Sequence, residues 1–129
     1  MQDCPFCSRV SSASSLILAT DHVIAFPDAY PVSPGHSLIV PRRHVGRLSE
    51  LTQEEHRGMW DCVRDVQRSI EMAHGPDAWN IGVNDGAASG QTIMHVHLHV
   101  IPRYAGDVAD PRGGIRWVLP SRAAYWSGS

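Results

Sequence analysis

The sequence predicts an α+β fold, in which one long helix covers one face of an antiparallel sheet. Five short apolar segments are separated by turn-forming residues, which is the pattern of strands joined by short connections. One longer segment carries apolar side chains at helical spacing. Because the strand segments follow one another in runs instead of alternating with helices, an antiparallel sheet is favoured over a parallel one.

The first three strands are predicted on either side of a proline-rich turn. LILA (16–19) and VIAF (23–26) are separated by a short polar segment and predict a hairpin. Pro34 and Gly35 mark a turn, after which SLIVP (37–41) resumes an apolar strand.

The helix is predicted over residues 52–73. Thr52 and Glu55 have the T-x-x-E spacing of a capping box, and HGP (74–76) supplies a stop signal. Cys62 falls on the apolar face of this segment and is expected to lie in the core. The apolar residues that recur at helical spacing are Met59, Val63, Val66 and Ile70.

The last two strands are predicted at WNIGVN (79–84) and TIMHVHLHVIP (92–102), joined by a glycine-rich loop. The tail DPRGGIRWVLP (110–120) contains two prolines and a glycine pair, so we expect an extended segment without regular structure. The residues of the last strand that are expected to face the core are Val96, Leu98, Val100 and Ile101.

Composition excludes several classes of function. The length of 129 residues is that of one domain with a single core. A net charge of −2 provides no broad basic surface for a nucleic-acid backbone, so no nucleic-acid partner is expected. All eleven basic residues are arginine, which excludes Schiff-base chemistry on a lysine.

The expected location is the cytoplasm. The N-terminus MQDCPFC lacks the cationic and apolar parts of a signal peptide, and no apolar run approaches the roughly 18 residues of a membrane span. Three cysteines, an odd number, fit a reducing compartment better than a disulfide scaffold. No membrane partner is therefore predicted.

HVHLHV (95–100) places three histidines at every second position. On a strand their imidazoles share one face, and such crowding suggests that specific partners keep them neutral. Two chemistries compete: ligands of a catalytic zinc with an open position, or a neutral imidazole that attacks a phosphorus atom. The preceding loop NDGAASGQT (84–92) favours the second, because small residues and backbone N–H groups allow a phosphate to approach.

HVHLHVI (95–101) resembles the signature of the histidine-triad (HIT) nucleotide hydrolases and transferases. PVSPGHSLIVPRRHV, NDGAASGQT and HVIPRYAGD are similar to further blocks of this family in the same order, over roughly residues 4–106. The resemblance implies a five-stranded antiparallel sheet with one long helix and a short helical or irregular segment. It also implies a homodimer, with a domain at 1–106 and an extended tail at 107–129 that packs on the domain or on the partner.

The resemblance also implies catalytic roles for four histidines. His97, in the middle of the triad, would attack the α-phosphate and form a nucleotidyl-histidine that water then hydrolyses. His99 would bind the phosphate oxygens and assist the leaving group. His95 and His36 would complete the network that fixes ring orientation and tautomer. An unperturbed histidine is largely neutral at pH 7, so it is already nucleophilic.

Nucleotide-binding residues follow from the same resemblance. Asp28 would accept hydrogen bonds from the ribose, and His97 and His99 would contact the phosphate. Turn chemistry alone also explains an Asp before a proline-rich stretch, and likewise Asn84 and Asp85 before Gly86. The residues that would line the phosphate are Asn84, Gly90, Gln91 and Thr92.

A structural zinc is the one cofactor implied. Cys4-x-x-Cys7 alone fits redox chemistry, a metal or coincidence. Family members with such a pair combine it with two histidines, which here are His44 and His95. The zinc would tie the N-terminus to the sheet and contribute to folding. No organic cofactor is expected, and a divalent cation is compatible with a polyphosphate substrate.

The favoured substrate is a dinucleoside polyphosphate such as diadenosine tetraphosphate, since HVIPR (99–103) resembles that branch of the family. The alternatives are a nucleoside phosphoramidate hydrolase, a nucleotide-binding module without turnover, and a zinc-dependent hydrolase. In the tail, the residues expected to reach a partner's nucleotide site are Arg112, Arg116 and Trp117.

Overall fold

The computed structural model describes residues 4–12 and 14–127. Its centre is a five-stranded sheet in the order β1-β2-β3-β5-β4, and every neighbouring pair is antiparallel. The α+β class and the antiparallel sheet are therefore confirmed. The strands are β1 (Leu18–Ala19), β2 (Val23–Pro27), β3 (Ser37–Pro41), β4 (Ala78–Val83) and β5 (Leu98–Arg103). The α-helices are α1 (Pro5–Ser12), α2 (Gln53–Asp61), α3 (Val63–His74) and α4 (Pro120–Ala123).

The sheet is covered on both faces. On one face α2 and α3 pack against Val23, Ile39 and Leu98, all fully buried. On the other face Phe6 of α1 packs with Ile24, Phe26, Leu38 and Val40. The central strands β2 and β3 are apolar on both faces because each face has its own cover. No helix was predicted at the position of α1, because one apolar pair at helical spacing, Phe6 and Val10, is too short a pattern to indicate a helix.

The long helix begins as predicted but is divided. The Thr52 hydroxyl accepts from the Glu55 N–H at 3.0 Å, and the Glu55 carboxylate accepts from the Thr52 N–H at 2.9 Å. At Cys62 the ψ angle is −16°, away from the roughly −42° of a regular helix, so α2 ends and α3 begins there. The end is at Gly75, whose φ of 63° suits glycine. Cys62 is buried, as expected.

The triad strand is shorter than predicted. Pairing with β3 begins at Leu98, opposite Ile39, whereas Val96 donates its N–H to the carbonyl of Val45 at 2.8 Å. His95 and His97 therefore precede the strand, although alternation still buries Val96, Leu98 and Val100 in the helix-covered core. The prediction for Ile101 was wrong, since period 2 turns this side chain to the opposite face, where it is partly buried.

The tail is not a plain extended segment. It forms short helical turns at Gly114–Val118, Pro120–Ala123 and Tyr125–Ser127. Arg116 holds them together, because its guanidinium donates to the carbonyls of Ala123 and Arg122 and lies 4.6 Å from the ring centre of Tyr125. Across residues 4–12 and 14–127, no helix has the length and apolar character needed to cross a membrane.

Candidate active site

Four predicted catalytic histidines come together at the beginning of β3 and β5. The ring centres of His97 and His99 are 5.1 Å apart, and those of His36 and His99 are 5.2 Å apart. His95 is fully buried behind them, 5.0 Å from the ring of His44. The triad is therefore split between two settings: His97 and His99 border a cavity, and His95 belongs to a cluster with two cysteines.

Hydrogen bonding fixes the tautomer of His97. Its Nδ1 lies 2.8 Å from the backbone carbonyl oxygen of His95, so Nδ1 carries the proton and donates it. The other nitrogen, Nε2, is then left with its lone pair. A neutral imidazole with an oriented lone pair is what nucleophilic attack on a phosphorus atom requires.

A second hydrogen-bonded chain fixes His36 and His99. The Val32 N–H donates to Nδ1 of His36 at 3.1 Å, so the proton of His36 is on Nε2. That nitrogen lies 2.9 Å from Nδ1 of His99 and 3.4 Å from a carboxylate oxygen of Asp28. Since Nδ1 of His99 accepts, its proton is on Nε2. His99 is thereby a neutral hydrogen-bond donor beside the predicted nucleophile.

The surroundings keep His99 neutral. Burial, and after it the neighbouring rings of His97 and His36, lower the pKa of His99 to about 4, while the Asp28 carboxylate acts in the opposite direction. Burial also lowers the pKa of His36, again against Asp28. In the unfolded chain a histidine titrates near pH 6.5, so between about pH 6.5 and pH 4 the unfolded chain binds a proton that folded His99 does not. Stability is therefore complete above this window and is lost as the pH falls through it.

We expect the free energy of unfolding to fall by roughly 2 kcal/mol between pH 7 and pH 5 through His99, since one pKa unit corresponds to about 1.4 kcal/mol. Urea denaturation at the two pH values measures this difference. His99→Gln should reduce it, because the amide does not titrate, while His56→Gln at an exposed position of α2 should not. An identical pH dependence in all three proteins would contradict the assignment to His99.

The cavity beside these rings, here named the histidine cavity, has a volume of about 400 Å³. One carboxylate oxygen of Asp28 accepts from the Tyr30 N–H at 2.9 Å, which is a turn-forming contact. The other carboxylate oxygen lies 3.4 Å from Nε2 of His36. Turn chemistry and the cavity position therefore coexist at Asp28. The predicted binding residues that line the cavity are Asp28, Asn84, Gly90, Thr92, His97 and His99.

Gln91 does not line the histidine cavity. Its side chain is buried, and its oxygen accepts from the Gly86 N–H at 2.8 Å. Its amide nitrogen donates to the carbonyls of Gly46 and Ile93 at 2.9 and 3.0 Å. Both polar atoms of the Gln91 side chain thus shape the loop, and its neighbours Gly90 and Thr92 are the ones that line the cavity.

Sequence reasoning missed the apolar wall of the histidine cavity. Phe6, between the two cysteines, has its ring centre 5.0 Å from that of His97. Arg9 of α1 lies with its guanidinium 4.5 Å from the ring centre of Phe26, and it is the one arginine among the described lining residues. The predicted zinc linked the cysteines on either side of Phe6 to His95, but no sequence pattern placed the Phe6 ring or Arg9 at the cavity of His97. The wall consists of Phe6, Phe26, Leu38 and Ile93.

The predicted metal ligands form a compact cluster. The ligand atoms of Cys4, Cys7, His44 and His95 all lie within 4.8 Å of one another. Cys7 Sγ is 3.3 Å from Nδ1 of His44, and the two sulfurs are 3.4 and 3.7 Å from Nδ1 of His95. With Zn–S near 2.3 Å and Zn–N near 2.0–2.1 Å, ligands of a tetrahedral zinc are roughly 3.3–3.8 Å apart, so the cluster has the required size.

The second nitrogen of His95 also fits a metal ligand. Its Nε2 lies 2.8 Å from the carbonyl oxygen of Pro41 and donates to it, which leaves Nδ1 unprotonated and directed at the sulfurs. Metal-bound histidines are typically oriented by such a bond to a carbonyl. Without a cation, burial and the neighbouring Cys4 raise the pKa of the Cys7 thiol. Two thiolates and two neutral imidazoles are a set of donors suited to zinc.

Comparisons with known proteins agree with this geometry. The sequence pattern of the HIT domain matches residues 9–106. The chain is 40% identical over 103 residues to an asymmetrical bis(5'-nucleosyl)-tetraphosphatase of Schizosaccharomyces pombe, covering 80% of this chain and 57% of the yeast protein. It is 37% identical over 107 residues to an adenylylsulfatase of Arabidopsis thaliana, covering 81% of this chain and 54% of that protein. The chain thus spans little more than half the length of either enzyme.

A solved structure is similar along the whole chain. A zinc-bound histidine triad family protein from Mycobacterium smegmatis superposes with a TM-score of 0.74 at 30% identity, covering 99% of each chain. The domain match alone extends over most of the sequence, and it includes the triad and the preceding loop. This protein is a member of the histidine-triad family.

Proposed function

We propose that this protein hydrolyses a nucleotide derivative at its α-phosphate through a nucleotidyl-histidine intermediate on His97. The observation that carries the proposal is the bond from Nδ1 of His97 to the carbonyl of His95, because it leaves an oriented lone pair on Nε2 at the edge of a nucleotide-sized cavity. A binding module without turnover would have no need of this orientation.

The reaction has two displacements. In the first, the Nε2 lone pair of His97 attacks the α-phosphorus, the bond to the bridging oxygen of the leaving group breaks, and that oxygen takes the electron pair. His99 donates its Nε2–H to a phosphate oxygen and stabilises the developing charge. In the second, water attacks the phosphorus, the N–P bond breaks toward Nε2, and the water proton is released to solvent.

A dinucleoside polyphosphate is the favoured substrate. A polyphosphate leaves as an anion and needs no proton, whereas an amine leaving group requires one. With a pKa of about 4, His99 is neutral at pH 7 and donates a hydrogen bond more readily than a proton. The name of the yeast relative supports the same choice. Hydrolysis of a nucleoside phosphoramidate remains the second candidate, because attack by the imidazole of His97 on the α-phosphorus would begin both reactions.

We also propose that the cysteine and histidine cluster holds one structural zinc. Cys4, Cys7, His44 and His95 would supply all four ligands, so no open position remains for a catalytic water. When bound, zinc would cross-link α1 to the sheet. This arrangement argues against the zinc-dependent hydrolase.

The three free cysteines among the described residues agree with a cytoplasmic, reducing location.

The experiment that tests the reaction class is a substrate panel. Purified protein is assayed with diadenosine polyphosphates and with an adenosine phosphoramidate, and kcat/KM is compared between them. We expect turnover of both, with the diadenosine polyphosphates preferred. Folded protein that binds adenosine monophosphate but hydrolyses none of these compounds would support the binding module instead.

A homodimer is proposed through α2, α3 and β4. Strand β4 is at the end of the sheet order, so one of its edges has no strand partner within the described chain. Trp60 of α2 is 43% exposed and Met72 of α3 is 90% exposed, so both helices offer apolar surface to a partner. We expect sedimentation at micromolar concentration to give twice the chain mass of 14.2 kDa. A single species at the mass of one chain would contradict the dimer.

A further inference from the structure

A second, larger cavity adjoins the histidine cavity. It has a volume of about 680 Å³ and lies between the ends of β4 and β5 and the tail; we name it the tail cavity. Val32 borders both cavities. On β5, His99 lines the histidine cavity, and Ile101, two residues further on the same face, lines the tail cavity. Two residues along a strand are roughly 7 Å, so the two cavities are close enough for one elongated ligand.

The space between the cavities is not filled by a side chain from the edge strand. Gly82 of β4 lies opposite His99, and a Cβ at this position would meet no atom within 4 Å. Glycine inside a strand weakens it and often marks a place where a ligand approaches the backbone. The next position on this face, Asn80, lies opposite Ile101 and lines the tail cavity.

The tail cavity has two anchored aromatic side chains. The Tyr104 hydroxyl donates to the carbonyl of Pro34 at 2.6 Å, and the Trp117 indole N–H donates to the carbonyl of Arg112 at 2.8 Å. Both polar atoms are thus satisfied by the chain itself, and what each ring offers the cavity is apolar. Flat nucleobases stack on such rings with little sequence preference.

The charges around the tail cavity are already paired. Arg103 directs two nitrogens at the carboxylate of Asp107, both at 2.8 Å, and a third at the amide oxygen of Asn80 at 2.6 Å. Asp110 is paired with Arg112 at 2.9 Å. This cavity therefore suits an uncharged, flat group, while phosphates are better placed beside the donor of His99.

We infer that the tail cavity binds the second nucleoside of the substrate, the one that leaves with the polyphosphate. The inference rests on the proposed function and adds where the leaving half of a substrate with a nucleoside at each end of the phosphate chain is bound. The first nucleoside and its α-phosphate occupy the histidine cavity, and the remaining phosphates pass His99 and Gly82. A phosphoramidate with a small amine leaves the tail cavity empty.

The test is a binding measurement that needs no turnover. In protein carrying His97→Ala, calorimetry compares the Kd of diadenosine tetraphosphate with that of adenosine monophosphate. We expect Trp117→Ala to raise the Kd of diadenosine tetraphosphate by about 5- to 150-fold, the range for loss of one base stack. The Kd of adenosine monophosphate should stay within about twofold of its value without this substitution. Trp117→Phe, which retains a ring, should preserve most of the affinity.

The matched control is Val118→Ala, since Val118 is exposed on the same turn but does not line the tail cavity. It should change neither Kd. Equal weakening of both ligands by Trp117→Ala, or no weakening of either, would overturn the inference. The inference would also be overturned if Trp117→Ala dissociated a dimer in sedimentation and the loss of affinity followed that dissociation. The Trp117 ring would then act at the interface with the partner and not on the ligand. The proposed reaction is judged separately, by covalent labelling of His97 in the otherwise unchanged protein.

Discussion

We expect His97→Ala to lose more than a thousandfold in kcat/KM for any adenylyl substrate while still binding adenosine monophosphate. Removing the nucleophile abolishes the covalent route, whereas removing one flanking donor costs on the order of 10² to 10³ in rate. His99→Ala is the matched comparison and should fall within that smaller range. The reason for the difference is structural: of the three histidines that line the histidine cavity, only His97 has its Nδ1 on a backbone carbonyl, which leaves the lone pair on Nε2.

The measurement is rapid-quench mass spectrometry during turnover of a dinucleoside polyphosphate. A nucleotidyl mass should be found on the peptide spanning 92–103, which carries the whole triad, and fragmentation should assign it to His97. Substantial activity in His97→Ala, or a label on another residue, would refute the mechanism. Such a result would return the zinc-dependent hydrolase to consideration.

Loss of a zinc ligand is expected to affect folding far more than turnover. Protein purified without a histidine tag should contain close to one zinc per chain by elemental analysis. Cys4→Ser should lower Tm by on the order of 10 °C or more, because structural zinc sites contribute directly to folding and one kcal/mol shifts Tm by several degrees in a domain of this size. The kcat of the fraction that remains folded should change much less.

Cys62→Ala provides the control, since Cys62 is a buried thiol outside the cluster and its removal should leave the zinc content unchanged. A stoichiometry near zero that added zinc does not raise would exclude the metal. Chelation separates the two zinc roles: activity should survive until the protein unfolds. Immediate loss of activity from folded protein would point to a catalytic metal.

Much of the framework could be predicted because it depends on local patterns. Strand β3 begins and ends where the apolar run SLIVP does, and the capping box of Thr52 and Glu55 starts α2. These features are encoded within a few residues of one another. The place of His36 in the histidine network was reached through the family resemblance, since nothing in the spacing requires its contact with His99, 63 residues away.

The failures have a common physical cause, which is tertiary contact overriding local pattern. Phe6 of α1 packs against the sheet and the histidines, and the single pair of Phe6 and Val10 is too short a pattern to predict the helix on its own. The strand of the triad starts late because Val96 hydrogen-bonds to Val45 and not to β3. Gln91 was expected at the phosphate, yet its side-chain amide is occupied by backbone groups of Gly86 and Ile93 nearby and of the distant Gly46.

The position of Phe6 has a consequence for how this chain tolerates change. Phe6 stands between the two cysteines, touches the ring of His97 and forms part of the cavity wall. Residues in direct contact give substitution effects that do not add. A library in which Phe6, Cys7 and His97 vary together should therefore contain combinations that single-site scans do not foresee. Among natural relatives, these positions would be expected to change as a set.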